Sequence, residues 1–293
     1  MKTVMVTGAN GQLGKAVIRH LPNDFHCVGV DITPEIDEIY PLDLTDASAV
    51  RPFLRKVDPD IIVNLAALTD VDRCEREPEL SHAVNVNSLK LLSRTAPEAY
   101  ILHISSDYVF DGRSGPYGEE DRVNPINIYG KHKLESESIC LSHSGGSAVI
   151  RTNVVFDYMP TTQASFVKWV IDALQRGEDI RIVKDQWNNP TWTNSLSTVI
   201  NRFVTEKYSG LYHYGGRDWL NRYEFALMIA RVFDLNPRLI HPISTQDLHQ
   251  DAPRPLKCGL KTDLIRKKFG LMNDPLEACL SKIKLRLIQS GIM

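Results

Sequence analysis

The chain has 293 residues, 43% hydrophobic and 24% charged, with a formal net charge of −2. That length suits one large α/β domain with an appended lobe, or two domains, and the composition is ordinary for a globular protein. The charge balance offers no basic surface for nucleic acid, and no apolar run reaches the roughly 20 residues that span a bilayer.

The opening run MKTVMVTGAN is too short in apolar residues for a signal sequence and leads directly into a glycine turn. Strands are then predicted at 4–8, 27–31, 60–67, 99–106 and 147–156, with helices near 11–21, 46–56, 79–95 and 128–141 between them. Thr45 or Asp46 supplies an N-cap for the second of these helices. Continuous apolar strands alternating with helices predict an α/β fold: a Rossmann-type doubly wound parallel sheet covered on both faces. Beyond residue 156 the pattern loosens. A helix at 163–176, a strand at 180–183, the polar run KDQWNNPTWTN and a helix at 195–206 precede GLYHYGG. Helices at 221–233, 262–268 and 274–289 close the chain. Loops rich in Pro, Gly, Trp and Asn suit a substrate-binding lobe. Residues 1–156 are therefore expected to form the nucleotide-binding domain, with 185–206 returning to it, and 157–293 mainly a smaller C-terminal α/β substrate lobe. Cys27, Cys74, Cys140, Cys258 and Cys279 are scattered, without a CxxC pair, as expected of reduced thiols in a cytoplasmic protein. The nine histidines show no metal-ligand spacing, so no structural metal is expected.

Gly8, Gly11 and Gly14 in TGANGQLG lie between a predicted strand and a helix. Glycines there permit a tight turn and close backbone approach to a pyrophosphate, which a helix N-terminus favours. Asp31 ends the second strand, 23 residues after Gly8. A carboxylate at that place accepts from ribose hydroxyls and repels a 2′-phosphate, or else merely begins a turn. The following ITPEIDEIY has no Arg or Lys to receive that phosphate, so NAD(H) is favoured over NADP(H). Asp43 and Leu44 either flank an adenine or belong to a helix cap. The small residues of NLAA (64–67) let a cofactor lie against the backbone.

Tyr129 and Lys133, in YGKHKLESE, project from one face of a helix. Upstream, ILHISSDYVF ends an apolar strand in the hydroxyls of Ser105 and Ser106. Reduction of a ketone needs a hydride and a proton for the developing alkoxide. A tyrosine gives that proton when a neighbouring cation lowers its pKa, and a hydroxyl holds the oxygen. Ser106, Tyr129 and Lys133 fill these roles, with Ser105 the alternative if the strand register slips by one. Lys133 is also placed to bind the ribose of a nicotinamide nucleotide.

These segments, with AALTDVDRCEREPE (66–79), SSDYVFDG (105–112), PYGEED, NPINIYGKHKLESE, RTNVVF (151–156) and DQWNNPT (185–191), resemble the dTDP-4-dehydrorhamnose reductase family of extended short-chain dehydrogenases/reductases. The resemblance implies that Ser106, Tyr129 and Lys133 are catalytic. It implies cofactor contacts from Gly8, Asn10, Gly11, Gln12 and Leu13, and from Asp43, Leu44, Ala66, Ala67 and Thr69. It implies reduction of a 4-keto group on a nucleotide-linked 6-deoxyhexose, yielding dTDP-L-rhamnose. Candidate contacts to that nucleotide sugar are Asp107, Val109, Arg151, Asn153, Trp187 and Arg254. Arg254 either meets the diphosphate or is an exposed loop arginine. Three departures stand out: Val154 where the family has tryptophan, Asn188 where it has glycine, and Ser106 where it has threonine. The first two touch the substrate side. The resemblance leaves room for a loosely bound magnesium ion, and a monomer or homodimer is expected. The chain also resembles the non-catalytic β subunit of methionine adenosyltransferase, which shares DYVFDG and YGKxKL. An epimerase or dehydratase of the same superfamily is a third reading, although SSDY lacks the acidic pair that dehydratases carry.

Overall fold

The computed structural model describes residues 1–34, 38–161 and 165–293. In chain order, β1 (Lys2–Thr7), α1 (Gln12–His20), β2 (Phe25–Asp31), β3 (Ile39–Pro41), α2 (Ala47–Val57) and β4 (Ile61–Asn64) form the first half of the sheet. Next come α3 (Val71–Arg76), α4 (Pro78–His82), a π-helical turn (Ala83–Asn87), α5 (Ser88–Thr95), β5 (Tyr100–Ser106), α6 (Ile128–Leu141) and β6 (Ser147–Thr152). The later elements are β7 (Val155–Phe156), α7 (Phe166–Gln175), β8 (Ile180–Val183), β9 (Trp187–Asn188), β10 (Thr191–Trp192), α8 (Thr193–Glu206) and β11 (Gly210–His213). The chain ends with β12 (Leu220–Asn221), α9 (Arg222–Val232), β13 (Ile240–Ile243), α10 (Asp263–Phe269) and α11 (Leu276–Gln289).

Seven strands in the order β11-β6-β5-β4-β1-β2-β3 make one parallel sheet. The strand order reverses beside β1, which opens a crevice between the carboxyl ends of β1 and β4, where doubly wound sheets bind ligands. Successive side chains face opposite ways. Val4 and Val6 pack under α1 and α8 with Val17, Leu196 and Phe203, while Met5 packs on the other face with Leu54, Leu89 and Cys140. A separate cluster joins α7, α9 and α11 through Ile171, Phe225, Ile229 and Leu280. At about 25 cal/mol per Å² of apolar surface, such fully buried side chains each contribute about 1.5–3 kcal/mol.

The differences from the sequence reading have local causes. GLYHYGG supplies β11, which pairs with β6 and so extends the main sheet. The strand predicted at 147–156 is broken, because Val154 has a φ of +38°. The helix predicted at 79–95 contains the π turn, whose Asn85 side chain bonds both backbone groups of Leu68, at 2.9 and 3.1 Å. That contact ties down the loop following β4. Asp46 is the cap of α2, accepting from Ser48 N and Ala49 N. The predicted start of the helix at 163–176 falls on residues outside those described, as does part of ITPEIDEIY. All five cysteines are free thiols, four buried and Cys27 half-buried. Among the described residues no helix is long and apolar enough to cross a membrane, and no three His, Cys, Asp or Glu side chains converge on one point.

Candidate active site

A cleft of about 750 Å³ opens at the carboxyl ends of the central strands. Its nucleotide end is built from backbone. Gly8 has φ +64°, and a Cβ there would lie 2.9 Å from Ala66 N. A Cβ on Gly14 would lie 2.2 Å from Gly8 O. The start of α1 has Gly11 as its N-cap and no side-chain cap, so its first-turn amides suit an anion. Asn10 Oδ1 is buried without a hydrogen-bond partner among the described residues, which marks a missing donor. A dinucleotide fits this cradle: close backbone approach, helix amides and one unsatisfied acceptor meet at one turn.

Gln12 and Leu13 line the same wall. So do Asp43 and Leu44, and across the cleft Ala66, Ala67 and Thr69. Asp43 is not the helix cap; its carboxylate holds Thr45 N at 2.8 Å. Asp31 lines the cleft and also braces the turn, accepting from Asn10 N at 3.0 Å and Thr33 N at 3.4 Å.

At the other end, Ser106, Tyr129 and Lys133 border the cleft together. The two serines differ sharply. Ser105 donates to Glu137 Oε1 at 2.5 Å, whereas the Ser106 hydroxyl contacts Asp107 Oδ1 at 3.3 Å, accepts from Tyr108 N at 3.2 Å and interacts with the Tyr129 phenol. Burial pushes the Tyr129 pKa well above the usual 10, with Ser106 opposing. Lys133 is not among the groups that shift it; its Nζ donates to Ile104 O at 2.6 Å. Burial brings Lys133 itself down to about 8, Glu137 opposing.

A buried network that sequence spacing did not reveal supports these groups. Thr7 Oγ1 donates to Asn64 Oδ1 at 2.7 Å, and Asn64 Nδ2 meets His103 Nδ1 at 3.0 Å. His103 Nε2 lies 2.9 Å from Ser136 Oγ, which donates to Lys133 O at 2.7 Å. Burial, with the charge of Lys133, holds His103 far below its usual pKa, so the ring is neutral. The bond from Asn64 makes Nδ1 the acceptor and leaves Nε2–H to donate to Ser136.

Asp107 and Asn153, two of the candidate sugar contacts, also line the cleft. Burial raises Asp107 to about 6, against hydrogen bonds from Gly259 N, Asn153 and Ser106 and the charge of Arg222. Asn153 Nδ2 donates to Asn189 Oδ1 at 2.7 Å. Val154 also lines the cleft, and a β-branched residue at φ +38° stores strain there. Val109, Arg151, Trp187 and Arg254 are not brought to the cleft wall. Val109 is fully buried in a small cluster with Phe110 and Tyr117. Arg151 is buried in a two-pronged pair with Glu137, at 2.7 and 2.8 Å, and lies over the Phe110 ring. Trp187 stacks on Trp219 with centroids 4.7 Å apart, and Arg254 is paired with Asp72 at 2.8 Å. Arg222, which sequence reasoning passed over, does line the cleft, with its guanidinium 5.3 Å from the Phe166 ring centroid. Its only signal in the chain was its position immediately after the capping Asn221 of α9.

Fold and cleft together place the chain among the extended short-chain dehydrogenases/reductases. More narrowly, the family model described as RmlD substrate binding domain matches residues 1–286, and the chain belongs to that family. It is 33% identical over 267 residues to the methionine adenosyltransferase 2 subunit beta of Danio rerio, covering 89% of this chain and 83% of that one. It is 31% identical over 301 residues to the dTDP-4-dehydrorhamnose reductase of Aggregatibacter actinomycetemcomitans, covering 97% and 99%. The structure of a dTDP-4-dehydrorhamnose reductase from Bacillus anthracis in complex with NADP matches with a TM-score of 0.86 at 29% identity, covering 98% of this chain and 100% of that one.

Proposed function

We propose that this chain is a nicotinamide-dependent reductase of a nucleotide-linked 4-keto-6-deoxy sugar, converting dTDP-4-dehydrorhamnose to dTDP-L-rhamnose. The observation that carries the reading is the meeting of Ser106, Tyr129 and Lys133 at the end of a cleft whose other end is a glycine cradle. Gly8, Gly11, Gly14 and the start of α1 would hold the pyrophosphate, and Ala66, Ala67 and Thr69 the opposite side. When bound, the nicotinamide supplies the hydride. Tyr129, kept protonated by burial, gives its proton to the carbonyl oxygen, while Ser106 donates a hydrogen bond to that oxygen. Lys133 sits one turn away and is fixed by Ile104 O. It would also hold the ribose of the nicotinamide nucleotide. Asp107 and Asn153 orient the sugar, and Arg222 faces the diphosphate with a geometry suited to phosphate oxygens.

Asp31 supports NAD(H) over NADP(H), since a carboxylate in that place repels a 2′-phosphate; the Bacillus anthracis relative is nevertheless described with NADP. A larger kcat/KM with NADH, reversed or erased by Asp31→Ala, is expected.

The second reading is a regulatory subunit of a methionine adenosyltransferase, favoured by the 33% identity to the zebrafish β subunit. One experiment separates the two: oxidation of NADH and NADPH with a panel of nucleotide 4-keto sugars, together with a pull-down of methionine adenosyltransferase. Turnover that disappears in Tyr129→Phe supports the reductase. Dinucleotide binding without turnover on any sugar, plus stoichiometric capture of the transferase, overturns it.

A further inference from the structure

A second concavity lies away from the cleft, on the face where α2 packs beside α5. It has a volume of about 530 Å³ and shares no lining residue with the cleft. Arg51 and Arg55 stand one turn apart on α2, and Lys90 and Arg94 one turn apart on α5. Asn87, the last residue of the π turn, with Leu91 and Thr95, completes the wall.

No carboxylate lines this basin, and no ion pair engages any of the four cations among the described residues. All four are exposed. Like charges at i and i+4 destabilise a helix, and here two such pairs face each other. Elsewhere in the chain most exposed arginines have a carboxylate partner, as in Arg73–Glu77, Arg76–Asp251 and Arg176–Glu178. An arrangement in which four cations repel across a concave surface is relieved by a multivalent anion. Three guanidiniums and one ammonium offer the fork-like donors that phosphate oxygens accept. The basin is small and concave rather than a long stripe, so its ligand is compact.

We propose that the α2–α5 basin is a binding site for a compact oligophosphate, either inorganic or the phosphate chain of a nucleotide, separate from the dinucleotide cleft.

The test is calorimetric titration of the full chain with sodium tripolyphosphate and, in parallel, with ATP, at low salt and in the presence of saturating NADH to occupy the cleft. Both ligands are expected to bind, and the Arg55→Gln/Lys90→Gln double variant to bind at least about tenfold more weakly. Lys56→Gln, on the same helix but outside the basin, serves as the control and should bind as wild type does. Binding of ATP alone, lost in the double variant, would assign the ligand to nucleotides and keep the site. Equal affinity of wild type and double variant, or displacement of the anion by NADH, would move the anion elsewhere and overturn the proposal. So would failure of both ligands to bind. Without ligand the double variant, relieved of both like-charge pairs, should melt at or slightly above wild type, and tripolyphosphate should raise the wild-type midpoint more than that of the variant.

Discussion

Asp107→Asn removes a buried carboxyl that lines the cleft. Burial lifts that carboxyl from 3.8 to about 6, opposed by the amide of Gly259, by Asn153, Arg222 and Ser106. In the unfolded chain it titrates at its ordinary value. Because the folded pKa is the higher one, the fold is favoured by the protonated form, and this group's contribution declines as pH rises from about 4 through about 6. At 1.36 kcal/mol per tenfold, the difference makes the ionised carboxylate destabilising by about 3 kcal/mol above pH 7. Roughly 1.4 kcal/mol of that develops between pH 5 and pH 8. The asparagine carries no charge, so it recovers the whole amount, less about 1 kcal/mol for the Gly259 N–H that loses its acceptor at 3.3 Å. The variant should therefore be about 2 kcal/mol more stable than wild type at pH 8, with the gap shrinking by about 1.4 kcal/mol at pH 5. Urea unfolding of both proteins at the two pH values measures this directly, since other titrating groups cancel in the difference. A gap that does not change with pH, or a variant less stable at pH 8, would refute the electrostatic reasoning.

Four further outcomes are expected. Tyr129→Phe keeps the ring beside Tyr108, 5.8 Å between centroids, so it should melt near wild type while kcat falls about 10²–10⁴-fold in a reductase assay. Arg222→Gln should raise KM for the nucleotide sugar about tenfold with kcat little changed, as steady-state kinetics would reveal. Glu137→Ala strands the buried Arg151 guanidinium, and urea unfolding should show a loss of about 3–5 kcal/mol. Gly14→Ala places a methyl 2.2 Å from Gly8 O, so NADH titration by fluorescence should show binding abolished; unaltered affinity would count against the cradle.

What the chain alone determined was local. Alternating apolar runs set the strands, TGANGQLG marked the turn at the end of β1, and a four-residue spacing set Tyr129 and Lys133 on one face of α6. Each depends on contacts between residues near in sequence, which periodicity records. The tertiary structure decided everything that depends on which distant group a side chain meets. Arg151 read as a candidate contact to the nucleotide sugar, whereas in the fold Glu137 on α6 holds its guanidinium. That same carboxylate also took the hydroxyl of Ser105, leaving Ser106 beside Tyr129. Arg222 reached the cleft from an element more than 90 residues after Tyr129, and Gly210–His213 joined the main sheet beside β6. The sign of the Tyr129 pKa change followed the same rule. Its spacing from Lys133 suggested a lowered value, but burial raised it. Spacing brings side chains to one face; desolvation and competing partners, both products of the whole fold, determine what they do there.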